Sequence, residues 1–114
     1  NSIVLSIGYA GRRILLTGDL ESPGLEEVTS DEPQACDVLL APHHGSASSD
    51  PPGFAAWSTP RWTVISGGQR EPADQVVTAY SEFGEVRHTA THGAVRAVVG
   101  RGGVTVACWR DAHW

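Results

Sequence analysis

A carboxylate follows an apolar stretch near the start of the chain. Residues 15–19 read LLTGD, which predicts a strand that ends at a glycine and is followed at once by Asp19. A carboxylate at the end of a rigid strand faces open space, and its two oxygens can bind one hard or borderline metal ion or bridge two. An Asp at such a position is also common as a turn residue or helix cap, so both interpretations stay open here.

Two adjacent histidines follow the next apolar strand. Residues 37–46 read DVLLAPHHGS, which predicts a short buried strand that stops at Pro42, with His43 and His44 directly after it. Neutral imidazole is a common ligand of zinc, manganese and iron. Neighbouring side chains of an extended segment point in opposite directions, so one of the two histidines should face a given site. The competing interpretation is a solvated surface loop.

The two segments support each other. Asp19 lies 24 and 25 residues before the two histidines, and a strand–helix–strand unit of that length places both strand ends side by side. Open α/β sheets form their sites at such strand ends. One carboxylate and one imidazole are still fewer than the roughly three protein ligands of a catalytic zinc. The other histidines, His88, His92 and His113, are expected to be surface or incidental residues.

The elements that would position these residues alternate between strands and short helices. The pattern predicts strands over residues 2–7, 13–17, 37–41, 62–66, 86–89, 94–99 and 104–109, and helices over 23–29, 51–57 and 74–83. Ser22 and Asp50 are predicted to cap helices, and Gly84 to end one. This order predicts an α/β fold with one mixed β-sheet and short helices, in a single domain or half-domain over residues 1–114.

Composition and charge limit the classes of protein to which the chain could belong. The chain has 114 residues, 40% hydrophobic and 18% charged, which is typical of a globular domain. It has no run near the ~18 apolar residues of a membrane span, so no membrane segment is expected. The net charge of −5 argues against duplex binding by charge alone. An anion-binding patch would require convergence of Arg61, Arg87, Arg96 and Arg110, and solvated strand faces are the alternative.

Two further features concern the origin of the chain and its cysteines. Met and Lys are absent and the chain starts at Asn1, which favours an interior fragment of a longer protein. Cys36 and Cys108 show neither CxxC spacing nor a nearby zinc-finger histidine. We expect two free thiols packed as small apolar groups, with a disulfide as the alternative, and this favours a reducing compartment.

Three stretches of the chain resemble a known family. They are residues 1–5, residues 11–21 and residues 37–46, which read NSIVL, GRRILLTGDLE and DVLLAPHHGS. Together they resemble the C-terminal half of a metallo-β-lactamase-fold domain, in particular the hydrolase-like domain of ComEC-type DNA-uptake proteins. Later stretches near residues 64–66 and 89–95 also resemble the family, so the resemblance covers nearly the whole chain.

The resemblance implies half of an αββα sandwich and a shared metal site. Asp19 matches the aspartate of the family's Thr-Gly-Asp motif, which bridges two metal ions. His44 matches the ligand imidazole first, with His43 as its neighbour or substitute and as the catalytic proton donor. The implied cofactor is a pair of divalent ions, zinc or manganese, that activates a water for attack on a phosphodiester. The alternative is that the isolated fragment binds no metal.

The resemblance also implies partners. The N-terminal half of the same domain, or a second copy of the chain, would complete the structure, nucleic acid would be the substrate, and the parent would be a bacterial membrane protein. Half of a sandwich would leave one sheet face apolar and exposed, and self-association or rearranged helices should cover it.

The chain departs from the family at two places, and these departures support a second hypothesis. The HxHxDH metal motif of the N-terminal half is absent, and Glu71 stands where the family often has a histidine. The second hypothesis is a degenerate, non-catalytic scaffold or interaction module of the same fold. A third is an unrelated small α/β binding domain.

Overall fold

The chain forms a five-stranded sheet with helices and a separate hairpin. The computed structural model describes residues 3–67 and 74–112. The strands are β1 (Leu5–Tyr9), β2 (Arg12–Leu16), β3 (Val38–Leu40), β4 (Trp62–Ile65), β5 (Glu85–His88), β6 (Val95–Gly100) and β7 (Gly103–Cys108). The helices are α1 (Gly24–Thr29), α2 (Pro51–Ser58), α3 (Asp74–Ser81), α4 (Thr89–His92) and α5 (Trp109–Ala112), with 3₁₀ turns at Pro42–Gly45 and Ala47–Ser49.

The main sheet is mixed, as predicted. Its strand order is β1-β2-β3-β4-β5. β1 pairs antiparallel with β2 as a hairpin, and β2 to β5 run parallel. Parallel neighbours require a crossover, and α1, α2 and α3 lie in the three connections. The α/β class with short helices is therefore confirmed.

The expectation of one sheet for all strands is wrong. β6 and β7 pair with each other as a two-stranded antiparallel sheet of their own. The chain turns into α4 directly after β5, and Gly93 follows with a positive φ of 74°. This helix and turn redirect the chain away from the edge of β5, so β6 does not extend the ladder.

One face of the main sheet packs against the helices and forms the core. Leu15, Leu39 and Ile65 are fully buried and belong to one cluster with Phe54 of α2 and Tyr80 of α3. Burial of a side chain of this size contributes roughly 1.5–3 kcal/mol. The cluster therefore fixes the three central strands relative to the helices.

The other face of the sheet stays partly open at β1. Leu5, Ile7 and Tyr9 alternate along this strand and are 52%, 45% and 63% exposed. Such a row agrees with the expected exposed apolar face, while its covering by a partner stays a prediction. In the described ranges, none of the helices combines the length and the apolarity that crossing a membrane would take.

The two predicted helix caps have different outcomes. Asp50 caps α2, since its Oδ1 accepts a hydrogen bond from the Gly53 amide at 3.3 Å. The prediction for Ser22 is wrong, because α1 begins after Pro23 without a side-chain cap. The Ser22 hydroxyl donates instead to the Glu26 carboxylate.

Both cysteines are free and buried, as expected. Burial raises the pKa of the Cys36 thiol to about 12, and the neighbouring Asp37 carboxylate adds to the rise while Arg13 opposes it. The thiol therefore packs as a small apolar group and is protonated in the folded protein at neutral pH.

The raised pKa of Cys36 predicts a loss of stability in alkali. An unfolded chain ionises this thiol near its ordinary pKa of 9.0, whereas the folded chain holds the proton to about 12. The free energy of unfolding should therefore fall between pH 9 and 12, by up to about 1.4 kcal/mol per pH unit. Urea unfolding of wild type and Cys36→Ala at pH 8, 9 and 10 measures this fall in the free energy of unfolding, which should be smaller in the variant. Parallel pH profiles for the two proteins would contradict the assignment.

A second prediction concerns the end of α3. A Cβ on Gly84 would lie 2.1 Å from the backbone oxygen of Arg61, so the chain must shift to accept a side chain there. Gly84→Ala should lower the free energy of unfolding by about 1–3 kcal/mol. The matched control is Gly100→Ala, where a Cβ meets nothing within 4 Å and a change within about 0.5 kcal/mol is expected. Equal stability of the two variants in urea would refute this packing.

Candidate metal centre

The candidate site lies where the parallel strands end. Leu16, Leu40 and Val64, which are the last or next-to-last residues of their strands, are aligned in register across the sheet. The loops that follow these strands therefore begin side by side. They carry Asp19 after β2 and the two histidines after β3, which is the carboxyl edge where open α/β sheets form sites.

The structure brings Asp19 and His44 together. Nε2 of His44 lies 3.5 Å from Oδ1 of Asp19, and both side chains are about two-thirds exposed. The strand–helix–strand spacing predicted that the two strand ends lie side by side; the preference for His44 over His43 came from the resemblance, and the role of His44 as a metal ligand stays a prediction.

A backbone carbonyl orients the His44 ring. Nδ1 of His44 lies 2.8 Å from the backbone oxygen of Ser66, at the end of β4. Because a carbonyl oxygen only accepts hydrogen bonds, Nδ1 is the protonated nitrogen in this contact. In the neutral ring the lone pair then lies on Nε2, the nitrogen that faces Asp19. Metal-bound histidines almost always have an outer hydrogen bond of this kind.

The histidine loop has a left-handed backbone. The φ angles of His43, His44 and Gly45 are 49°, 55° and 77°, within a 3₁₀ turn. The expectation of an extended segment is therefore wrong, and strand-like alternation does not decide where the rings point. A Cβ on Gly45 would also lie 2.7 Å from a methyl group of Ile65, so a glycine is required there on two grounds.

His43 lies beside the pair and contacts a different carboxylate. Its Nδ1 is 3.4 Å from Oε2 of Glu21, and its ring centroid is 6.4 Å from that of His44. This nitrogen is shielded from solvent and makes no hydrogen bond. The backbone amide of His43 donates to the carbonyl of Gly18 at 2.8 Å, which ties the histidine loop to the loop that carries Asp19.

Sequence reasoning missed two members of this edge, Glu21 and Ser66. Glu21 follows Asp19 by two residues, and its position in the same loop was the available signal. Ser66 acts through its backbone carbonyl, which any residue type could provide. Residue types in the sequence therefore could not reveal its role.

The end of β5 also differs from expectation. His88 is 5% exposed, so its assignment as a surface residue is wrong. A Cβ on Gly67 would lie 2.6 Å from its Nε2, which shows how closely the two strand ends approach. Thr89 links the same ends, since its hydroxyl donates to the carbonyl of Gly67 at 3.0 Å and accepts from its amide at 3.1 Å. His92 is half-buried, while Glu71 and His113 lie outside the described residues.

Oδ1 of Asp19 and Nε2 of His44 are spaced as two ligands of one metal ion would be. Two ligands bound about 2.1 Å from one tetrahedral ion are about 3.4 Å apart, and Oδ1 of Asp19 and Nε2 of His44 are 3.5 Å apart. These two atoms fit one ion. Within residues 3–67 and 74–112, however, no three or more His, Cys, Asp or Glu side chains form a group that could hold a metal.

Comparison with known proteins adds a relationship that the geometry cannot supply. No family model matches the chain. It is 39% identical over 70 residues to ComE operon protein 3 of Bacillus subtilis, covering 60% of this chain and 9% of that protein. It is 31% identical over 110 residues to competence protein ComA of Neisseria gonorrhoeae, covering 90% of this chain and 16% of that protein. The chain is similar to competence proteins.

A third match has a different name. It is a 5-methyltetrahydropteroyltriglutamate–homocysteine methyltransferase of Streptomyces avermitilis, 31% identical over 87 residues, with 70% of this chain and 10% of that protein covered. The chain thus spans between 9% and 16% of the curated relatives that it matches. The similarity to competence proteins is a similarity to one segment of much longer chains.

The contact between His44 and Ser66 predicts the tautomer of the imidazole. With the ring neutral at alkaline pH, Nδ1 should carry the proton and Nε2 should be unprotonated, because the Ser66 carbonyl can only accept. Long-range ¹H–¹⁵N NMR of the histidine rings distinguishes the two nitrogens. Gly45→Ala should displace the loop and reduce the share of this tautomer. A wild-type ring protonated at Nε2 would show that the contact does not form.

Proposed function

We propose that this chain is the C-terminal part of a metallo-β-lactamase-like hydrolase domain that cleaves phosphodiester bonds in a protein of DNA uptake. The observation that carries the proposal is the Asp19–His44 pair, in which Nε2 of the imidazole faces the carboxylate and Nδ1 contacts the Ser66 carbonyl. The names of two relatives, which refer to competence and to the ComE operon, support the link to DNA uptake.

Asp19 and His44 are the residues that would hold a divalent ion, zinc or manganese. Such an ion, when bound, lowers the pKa of a water and polarises a phosphoryl oxygen. The Ser66 carbonyl keeps the imidazole in the ligating tautomer, and Gly45 allows the turn that presents it. The further ligands of a two-metal site would come from another segment of a longer protein or from another chain.

His43 is the residue proposed to move a proton. Its Nδ1 lies 3.4 Å from Oε2 of the Glu21 carboxylate. The ring centroid of His43 is 6.4 Å from that of His44, so we assign His43 the donation of a proton to a leaving oxygen at the ligand pair. Glu21 would act as a positioning residue, through His43.

The second candidate function is a non-catalytic module of the same fold. The observation that favours it is the ligand count, because the described residues form no group of three or more potential ligands that could hold a metal. In this case Asp19 and His44 would form an exposed polar contact without a metal. The two functions differ in whether the pair binds an ion.

Calorimetric titration of the chain with Zn²⁺ and Mn²⁺ tests the proposal. Wild type should bind one ion, and Asp19→Ala or His44→Ala should each weaken binding at least about tenfold, because each removes one of two ligands. Asp31→Asn is the matched control, since this exposed side chain lies at the far end of α1 and should leave the affinity unchanged. Absence of wild-type binding, or equal affinities in all four proteins, would refute the site and favour the non-catalytic module.

The hydrolytic step is tested in a longer protein that carries this segment. Asp19→Asn and His43→Gln should both lower the rate of cleavage of single-stranded DNA, while only Asp19→Asn should lower the metal affinity. The Asp31→Asn variant should cleave at the wild-type rate. Cleavage that persists in Asp19→Asn would show that the activity lies elsewhere.

A further inference from the structure

A second polar cleft lies at the opposite edge of the main sheet. Arg12 and Arg13 begin β2, Arg61 immediately precedes β4, and all three line one cleft of about 810 Å³, which we call the arginine cleft. A smaller cleft of about 310 Å³ adjoins it and shares Arg12, Asp37 and Arg61. Strand rise places this edge roughly 20 Å from Asp19. The arginine cleft is therefore separate from the candidate metal centre.

The arginine cleft carries a local excess of positive charge. Three of the chain's eight basic residues converge here although the net charge of the chain is −5. Asp37 is the acidic side chain among the described residues that line the two clefts. Its Oδ2 accepts a hydrogen bond from the Arg13 amide at 2.8 Å, and its Oδ1 lies 3.9 Å from the Arg12 guanidinium. One carboxylate against three guanidinium groups leaves an excess charge of about +2, which favours an anion.

Arg12 has a donor that the protein does not use. Its Nε is shielded from solvent and makes no hydrogen bond with the described residues. The Arg12 side chain as a whole is 30% exposed and lines both clefts, so its guanidinium group can meet a ligand there. The planar guanidinium presents paired N–H groups that match the spacing of phosphate oxygens.

Besides the arginines that would hold a phosphate, the arginine cleft has lining residues that could contact the base and sugar of a nucleotide. Tyr9 is 63% exposed at the cleft, and an exposed aromatic ring is a platform on which bases stack. Pro33 and Ala35 add apolar lining. In the adjoining cleft, Gly102 and Gly103 present backbone without side chains near Arg12. The volume lies within the range of small-ligand sites, roughly 300–1,000 Å³.

We propose that the arginine cleft binds a nucleotide unit of single-stranded DNA, with the phosphate held by Arg12 and Arg61 and the base stacked on Tyr9. The same chemistry would also accept a free nucleotide, and the experiment separates these two sources. Binding here needs no metal, so the inference stands or falls independently of the Asp19–His44 site. It gives the chain a sequence-independent contact with a strand, which a net charge of −5 would otherwise disfavour.

Fluorescence anisotropy with a labelled eight-residue thymidine oligonucleotide in EDTA tests the inference. EDTA removes divalent ions, so the candidate metal centre cannot contribute. Wild type should bind, Arg61→Gln should bind at least tenfold more weakly, and Tyr9→Ala at least fivefold more weakly. Arg110→Gln is the charge-matched control on α5, away from the arginine cleft, and should change the affinity less than twofold. Thermal unfolding of each variant confirms that it is folded.

Competition with thymidine monophosphate identifies the source of the phosphate. An oligonucleotide that binds at least tenfold more tightly than the monophosphate identifies a DNA strand as the ligand. Equal affinities for the oligonucleotide and the monophosphate would show that the ligand of this cleft is a free nucleotide and not a DNA strand. Equal weakening by Arg61→Gln and Arg110→Gln, or no binding by wild type, would overturn the arginine cleft as a binding site.

Discussion

The parallel register of the main sheet is the constraint on which the rest of the structure depends. It aligns one residue from each of β2, β3, β4 and β5, namely Leu16, Leu40, Val64 and Arg87. A slip of one residue in any strand would turn its buried side chains to the opposite face, so burial of residues such as Leu15 and Leu39 keeps the alignment. The core thereby sets the positions of loops that contribute little to it.

This register gives the sheet two chemically different edges. The loops that follow β2 and β3 carry two carboxylates and two imidazoles. The opposite edge of the sheet carries three guanidinium groups, at the start of β2 and just before β4. Their separation of roughly 20 Å exceeds the Debye length of about 8 Å at physiological salt, so the two sets of charge do not neutralise each other. An acidic chain can therefore keep a local basic surface, and the same strands can position a metal-binding and an anion-binding group.

The sequence predicted that Asp19 and the histidine pair lie side by side, because that depends on local spacing and strand order alone, whereas the choice of His44 over His43 rested on the resemblance. It could not predict the left-handed histidine loop, in which Gly45 packs closely on Ile65 of another strand, nor the contact with the Ser66 carbonyl. The separate β6–β7 hairpin and the burial of His88 also arise from tertiary packing. The sequence pattern grouped Arg61 with Arg87, Arg96 and Arg110, whereas the fold places it in the same cleft as Arg12 and Arg13.

The conformation of the histidine loop bears on the choice between a metal site and a non-catalytic module. Two non-glycine residues, His43 and His44, adopt left-handed backbone angles that cost roughly 1–2 kcal/mol each. The hydrogen bond from His43 to Gly18 and the contact of His44 with Ser66 hold this strained turn. Ala10, Asp50 and Thr59 also have positive φ angles, so strain alone does not distinguish a binding site from a scaffold. The proposed metal site rests instead on the contacts of this loop, which direct one ring nitrogen of His44 to the Ser66 carbonyl and the other to the Asp19 carboxylate.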